Sequence, residues 1–320
     1  SKTLDFRSIM PKTKNRCALW TNDVETHSIY HNTLRDSTGE KVLKEGMPLL
    51  LDLYDRHNIQ STFFFTGYIA ERFPDVVRMI QPFGHEVACH SYSHDPKDAL
   101  DRLTQSKQKE AVTRSKRILE DISGQEVVGF RAPALRVNSL TPQVLLEAGY
   151  VYDSSIASQR FDLFLSFGMR EKLKWLAAPR KPYMVSDKGL HRRGALPLIE
   201  VPLSAMLFPY LSTTMRIFPK QTRAVRMAIQ FESRLTGKPV VFDTHPNEFI
   251  EEADEPFEMT RRADTMLGYI MGDVVRRRMK LKNLGVNGLP LYEEQLRYFE
   301  RRGFKSMTVK QYVDDTFELS

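Results

Sequence analysis

Apolar and polar positions change period repeatedly along the chain, and the changes mark its elements. Ala18-Leu19-Trp20-Thr21 is a short apolar run that predicts a buried strand. It ends in Asn22-Asp23-Val24-Glu25, where acids alternate with valine, so in extended chain Asp23 and Glu25 face the same side. Residues 42–57 are apolar at 43, 47, 50, 51 and 54, a helical stripe. Residues 59–66 (IQSTFFFT) are β-branched and aromatic and predict a strand closed by Gly67. A helix is expected from Phe73-Pro74-Asp75 to about Gln81, then a turn and short strand running into His90. Residues 100–122 predict a long helix stopped near Gly124, and 127–130 a strand ending at Arg131-Ala132-Pro133. Thr141-Pro142 reads as an N-cap with proline at the first helical position, and Gly149 caps the other end.

Beyond Gly149, residues 150–155 (YVYDSS) predict a strand end and 198–202 a further strand. Residues 222–235 predict a helix ending at Gly237, and 240–244 a strand that delivers His245. Helices are expected at about 260–283 and 291–302, then a last short strand at 304–309 and a turn of helix. Strands alternating with helices imply parallel strands joined by helical crossovers. Between 156 and 198 no period holds, and a stretch of that length predicts an excursion for substrate or partner. There is no internal repeat, low-complexity segment or linker, so one domain is expected over 1–320, with a core at about 17–250 and a helical extension at 251–320.

Composition narrows this picture. The 320 residues are 41% hydrophobic, enough for a core, and no uncharged apolar run reaches the length of a membrane span. The first residues lack the basic-then-apolar pattern of a signal peptide. Two cysteines, Cys17 and Cys89, make no disulfide framework, and Cys89 is expected to pack rather than ligate. A cytoplasmic protein, peripheral to the inner membrane, is therefore expected. The net charge of +7 is concentrated late, at Arg261-Arg262, Arg276-Arg277-Arg278 and Arg301-Arg302. It reads either as solvated helix faces or as attraction to an anionic partner such as a phosphate-bearing lipid carrier, a nucleotide sugar or a membrane surface. No nucleic-acid partner is indicated, because no motif interleaves basic and aromatic residues. Nothing in the sequence sets the oligomeric state.

The candidate chemistry lies at strand ends. His90-Ser91-Tyr92-Ser93-His94 places two imidazoles four residues apart, a spacing that on one helical turn or a tight loop lets both reach one divalent metal. Asp23, Glu25, Arg131 and His245 also close strand-like runs, where an α/β barrel displays its catalytic groups. His27, His31, His57, His85 and His191 are given no role.

Taken in order, Thr21-Asn22-Asp23-Val24-Glu25, His90-Ser91-Tyr92-Ser93-His94, Gly129-Phe130-Arg131-Ala132-Pro133-Ala134 and the strand ending at His245 resemble the polysaccharide deacetylase family, the NodB-homology or carbohydrate esterase family 4 fold. The resemblance implies a distorted seven-stranded (β/α) barrel, here with extra C-terminal helices, and metal-dependent removal of an N-acetyl group from a sugar. It implies Asp23 as general base, His90 and His94 as metal ligands, Arg131 as the residue orienting the base, and His245 as general acid. The family's usual Asp-Asp becomes Asp23-Val24, so Glu25 is expected as the third ligand, and zinc suits this nitrogen and oxygen set. Asp153 or Glu200 is expected to be the acid that tunes His245. The expected substrate is a bacterial surface-glycan or lipopolysaccharide precursor, lipid-linked or phosphate-bearing. Trp175 and Tyr183 are candidates to stack on a sugar ring, and Arg192 and Arg193 to meet a phosphate. A deformylase or allantoinase-like amidohydrolase, or an inactive carbohydrate-binding member of the fold, are the competing expectations.

Overall fold

The computed structural model describes residues 16–159, 170–252 and 276–317. The long sheet strands are β1 (Cys17–Val24), β2 (Thr62–Phe65), β3 (Glu86–Cys89), β4 (Gly129–Phe130), β5 (Tyr152–Asp153), β6 (Tyr183–Ser186), β7 (Gly189–Arg193), β8 (Ile199–Glu200), β9 (Val240–Thr244) and β10 (Lys305–Ser306). They form one sheet in the order β9-β1-β2-β3-β4-β5-β8-β6-β7, with β10 beside the start of β1. The seven strands from β9 to β8 all pair in parallel, as the alternation of strands and helices predicts. Among the described residues no ladder closes the barrel between β8 and β9. Ser204 bridges the seam instead, donating its N–H to Val241 O (3.1 Å) and accepting Val241 N–H on Oγ (3.0 Å).

Helices α1 (Met47–Arg56), α2 (Gln105–Ser123), α3 (Pro219–Thr236) and α4 (Leu289–Glu300) cover the sheet. The two ends of α2 follow sequence rules: Thr104 caps the first turn through Lys107 N–H, and Gly124 takes the left-handed conformation (φ 65°) that stops the helix. The helix read from Thr141 begins at Thr141 itself, with Leu140 in the cap position. The irregular stretch contains structure that periodicity did not show, the antiparallel hairpin β6–β7, which extends the sheet past β8. Residues 160–169 of that stretch, Arg261 and Arg262, and most of the helix expected at 260–283 lie outside the described residues.

Alternation along β1 divides its two faces. Trp20 and Asn22 point outward under α1 and α4, where Trp20 meets Tyr292 and Phe299 edge-on and Tyr54 donates to Asn22 Oδ1 (2.6 Å). Tyr54 and Tyr292 hydroxyls are themselves 2.6 Å apart. Helix α4 therefore packs directly on the first strand of the barrel, and β10 pairs with that strand. Thr21, Asp23 and Glu25 occupy the opposite, inward face, which is where the polar cluster of the site begins.

Candidate active site

Each polar side chain of the cluster sits in the last residues of a parallel strand or just past them, at the end where such barrels gather their chemistry. His90 follows β3, Arg131 follows β4 and His245 follows β9. The His90-to-His94 segment is a loop rather than a helical turn. Ser91 sits at φ 55°, and that left-handed step folds His94 back beside His90, with ring centroids 5.6 Å apart.

Arg131 is the fully buried hub. Its Nη1 donates to Asp23 Oδ1 (2.9 Å), Asp243 Oδ1 (2.7 Å) and Thr21 Oγ1 (2.9 Å). Its Nε and Nη2 donate to Ser154 O (3.0 Å) and Ser154 Oγ (2.9 Å), and its plane lies 4.2 Å over the Phe64 ring. A planar fork so held on every side has one orientation. Burial pushes the Asp23 carboxyl up, but His90, Arg131 and His245 outweigh it and hold Asp23 below its ordinary value. Asp243 moves the other way: burial and the negative charge of Asp23 raise it to about 7 despite Arg131.

Beside this hub is a group of donors without protons to share. His90 Nδ1 donates to Arg131 O (2.8 Å), so Nε2 carries the lone pair, buried and with no hydrogen-bond partner among the described residues. The Ala134 N–H points at His94 Nε2 (3.2 Å), which makes that nitrogen an acceptor too. Glu25 Oε2 lies 3.0 Å from the same nitrogen and also has no hydrogen-bond partner among the described residues. One ligand atom each from Glu25, His90 and His94 lies within 4.8 Å of the others. Acceptors buried that close repel unless a cation joins them, and a carboxylate with two imidazoles is a zinc-type set. The residues present therefore fit a divalent metal. Asp23, Asp243 and His245 form a second such group.

His245 lies across from this group, its Nε2 3.9 Å from Asp23 Oδ2 and 3.8 Å from Asp243 Oδ2. Its Nδ1 is 4.0 Å from Glu248 Oε2, and Glu248 is anchored through Oε1 by Arg216 (2.7 Å) and Thr213 (2.8 Å). Burial pulls the imidazole down, but Asp243, Glu248, Asp23 and Glu25 together raise it to about 9. The π-helical turn Val42–Gly46 packs below His245, and a Cβ on Gly46 would sit 2.4 Å from Pro246 O, so only glycine permits this approach.

A carboxylate on a buried arginine, a three-residue group that could hold a metal and a histidine facing them define the geometry, and comparison with known proteins adds the lineage. Residues 44–152 match the family model described as polysaccharide deacetylase. That segment belongs to the polysaccharide deacetylase family. The chain is 31% identical over 116 residues to a peptidoglycan deacetylase of Helicobacter pylori, covering 36% of this chain and 39% of the relative. It is 32% identical over 89 residues to a peptidoglycan-N-acetylglucosamine deacetylase of Bacillus cereus, covering 28% and 31%. The aligned parts thus span well under half the length of these relatives. A Pseudomonas aeruginosa structure described as a polysaccharide deacetylase aligns over 98% of this chain and 96% of its own, with TM-score 0.59 and 16% identity. A Mycobacterium smegmatis structure of the same description aligns over 94% and 95%, with TM-score 0.56 and 22% identity. An allantoinase structure aligns over 98% and 97%, with TM-score 0.57 and 15% identity. At these identities the structural likeness shows the deacetylase fold.

Within this deacetylase-type barrel, Asp23, Glu25, His90, His94, Arg131 and His245 come together at one mouth. The acids expected to tune His245 do not join them. Asp153 and Glu200 face each other across β5 and β8, where Ser155 binds Asp153 through its Oγ (2.7 Å) and N–H (2.9 Å). Burial raises both carboxyls. The same Ser155 Oγ accepts Ala132 N–H (2.9 Å), so this cluster braces the loop after Arg131. The acids nearest His245 are Asp243, Asp23 and Glu248, at 3.8, 3.9 and 4.0 Å. Asp243 was legible from strand alternation, two residues before His245 on one face, whereas Glu248 needed the turn at Pro246 to bring it back. Trp175 and Tyr183 are buried, and Tyr183 donates to Leu190 O (2.6 Å), so neither offers a face to a sugar. Arg192 and Arg193 are exposed on β7. Cys89 is buried in the core, and burial pushes its thiol up to about 12. His27, given no role, has its ring 5.7 Å from that of His94.

Proposed function

We propose that the protein is a metal-dependent hydrolase that removes the acetyl group from an N-acetylated amino sugar of a bacterial surface glycan. The observation that carries this reading is the donor group Glu25–His90–His94 set directly beside the Asp23–Arg131 pair, with His245 facing both. When bound, a divalent metal would act as a Lewis acid toward the amide carbonyl. Arg131 keeps Asp23 ionised, and Asp23 Oδ2 accepts the proton of the attacking water. His245, raised to about 9, holds a proton at neutral pH and gives it to the amine as the C–N bond breaks. The names of the curated relatives favour N-acetylglucosamine of peptidoglycan over a lipopolysaccharide precursor as the substrate.

The test combines product and metal analysis. Zinc-loaded protein incubated with peptidoglycan fragments should release acetate and leave a free amine detectable by mass spectrometry. Asp23→Asn should keep its metal and lose ~10²–10⁴-fold in turnover, because an amide cannot accept the proton. His90→Ala and His94→Ala should each lose metal. An Asp23→Asn protein within a few-fold of wild type, or full metal content in both histidine variants, would overturn the assignment.

A further inference from the structure

Helix α3 is laid on the barrel with its polar side inward. It buries Thr222, Arg226, Gln230 and Ser233 around a single large apolar residue, Ile229. Met227, Phe231 and Leu235 are turned outward, 60%, 64% and 70% exposed. Their spacing of four puts them in one stripe along the helix. An outward stripe of three large apolar side chains presents roughly 400 Å² of apolar surface, the size that on a monomer marks a binding face.

The surroundings of the stripe carry a surplus of positive charge, and on its other side Glu232 is paired with Arg180 and Lys238. By helical periodicity Arg223 and Arg234 lie on the edge of the stripe that faces α4, where Gln230 meets the Tyr298 hydroxyl (3.2 Å), and Lys220 lies in line with the stripe at the helix's first turn. There a cavity of about 450 Å³ is lined by Arg226, Arg297, Tyr298, Arg301 and Arg302 with Glu293 and Glu294. Two guanidinium groups cover the Tyr298 ring, Arg226 at 3.9 Å and Arg302 at 3.6 Å from its centroid. The two acids are already engaged, Glu294 by Arg223 (2.7 Å) and Glu293 by Arg297 (2.7 Å). The surplus along this edge is positive.

We infer that the outer face of α3 and the adjoining arginine-rich end of α4 form a docking surface for an anionic lipid bilayer. Apolar side chains enter the boundary between headgroups and acyl chains while the arginines meet lipid phosphates. A second copy of the chain is the weaker occupant on two grounds. The stripe is about half of the ~800 Å² per partner that a stable dimer buries. In a two-fold pairing of α3 with itself, the basic edge would also face another basic edge. The surface is separate from the catalytic mouth, so the inference goes beyond the hydrolytic reading and does not depend on it.

The full chain is sedimented with vesicles of equal phosphatidylglycerol and phosphatidylcholine, and with vesicles of phosphatidylcholine alone, at low and high salt. Wild type should bind the anionic vesicles, bind the neutral ones at least ~10-fold less, and be released by salt. Phe231→Glu should weaken anionic binding at least ~10-fold with an unchanged melting temperature, as should Arg297→Glu with Arg301→Glu. Phe83→Glu, at an exposed apolar residue elsewhere, should bind like wild type. No binding by wild type, or equal binding by Phe231→Glu, overturns the inference. So does a concentration-dependent dimer that Phe231→Glu abolishes in the absence of vesicle binding, which would assign the face to a second copy. A large fall in the melting temperature of Phe231→Glu would show that the chain itself covers the stripe, with the same consequence.

Discussion

Replacing Arg131 by methionine removes the guanidinium that is hydrogen-bonded to two buried carboxylates at once. The stem keeps much of its packing over Phe64, so the loss is mainly electrostatic. Asp23 and Asp243 each place an oxygen within 3 Å of Nη1, at 2.9 and 2.7 Å. Without the guanidinium, two like charges ~5 Å apart at an effective dielectric of ~20 repel by ~3 kcal/mol. Removing one partner of a buried ion pair costs ~3–5 kcal/mol, of the same order, and within the ~5–15 kcal/mol that holds a domain folded. The penalty depends on pH. With Arg131 gone, the carboxyl pair binds a proton more tightly folded than unfolded. A carboxyl whose folded pKa is raised contributes stability that is present below the unfolded pKa and is lost as pH rises through the folded one. The Arg131→Met penalty should therefore be ~3–5 kcal/mol near pH 8 and smaller by ~1–3 kcal/mol near pH 5. Urea unfolding followed by the fluorescence of the two buried tryptophans, Trp20 and Trp175, on chelator-treated wild type and variant at both pH values, reads this difference. Arg131→Lys should recover only part of it, since an ammonium cannot fork between both carboxylates and Ser154. A penalty below ~1 kcal/mol, or one equal at the two pH values, would refute the view that Arg131 holds two charged acids.

Two further outcomes follow from the same geometry. Asp243→Asn removes a carboxylate 3.8 Å from His245 Nε2, so the imidazolium should lose its proton at lower pH and the alkaline limb of kcat/KM should move down by ~1 unit; Asp153→Asn should leave that limb in place, and a pH–rate series on the metal-loaded proteins would expose the opposite pattern. Gly46→Ala pushes a methyl against Pro246 O, so turnover should fall at least ~10-fold with metal content kept; an unchanged kcat would mean that the backbone under His245 yields freely.

Strand ends and their chemistry were legible in the sequence because both rest on short-range rules. Alternation alone puts Asp23 and Glu25 on one face, and the apolar run 240–244 ends where β9 ends, one residue before His245. Spacing placed His90 and His94 side by side on either a helical turn or a tight loop, and a left-handed Ser91 in a loop sets their rings 5.6 Å apart. Choosing an acid for His245 was another matter. Asp153 and Glu200 sit at strand ends as Asp243 does, and the sequence carries no measure of which carboxylate the sheet's curvature turns toward the histidine. The register of β5 with β8 instead sets those two acids against each other.

The sense of a helix shows the same division. The residues of α3 announce a helix, and its boundaries came close from periodicity and Gly237 alone. Periodicity reports that a helix has two unlike faces and not which one the rest of the protein covers. In α3 the inward polar groups find partners on α4: Arg226 Nη1 donates to Gln295 Oε1 (3.1 Å) and Gln230 Oε1 accepts from the Tyr298 hydroxyl (3.2 Å), so these groups can be buried with hydrogen bonds made. Met227, Phe231 and Leu235 are left outside. Tertiary structure decided that, because burial of a polar face is allowed only where distant residues satisfy it, and those residues lie some seventy positions further along the chain.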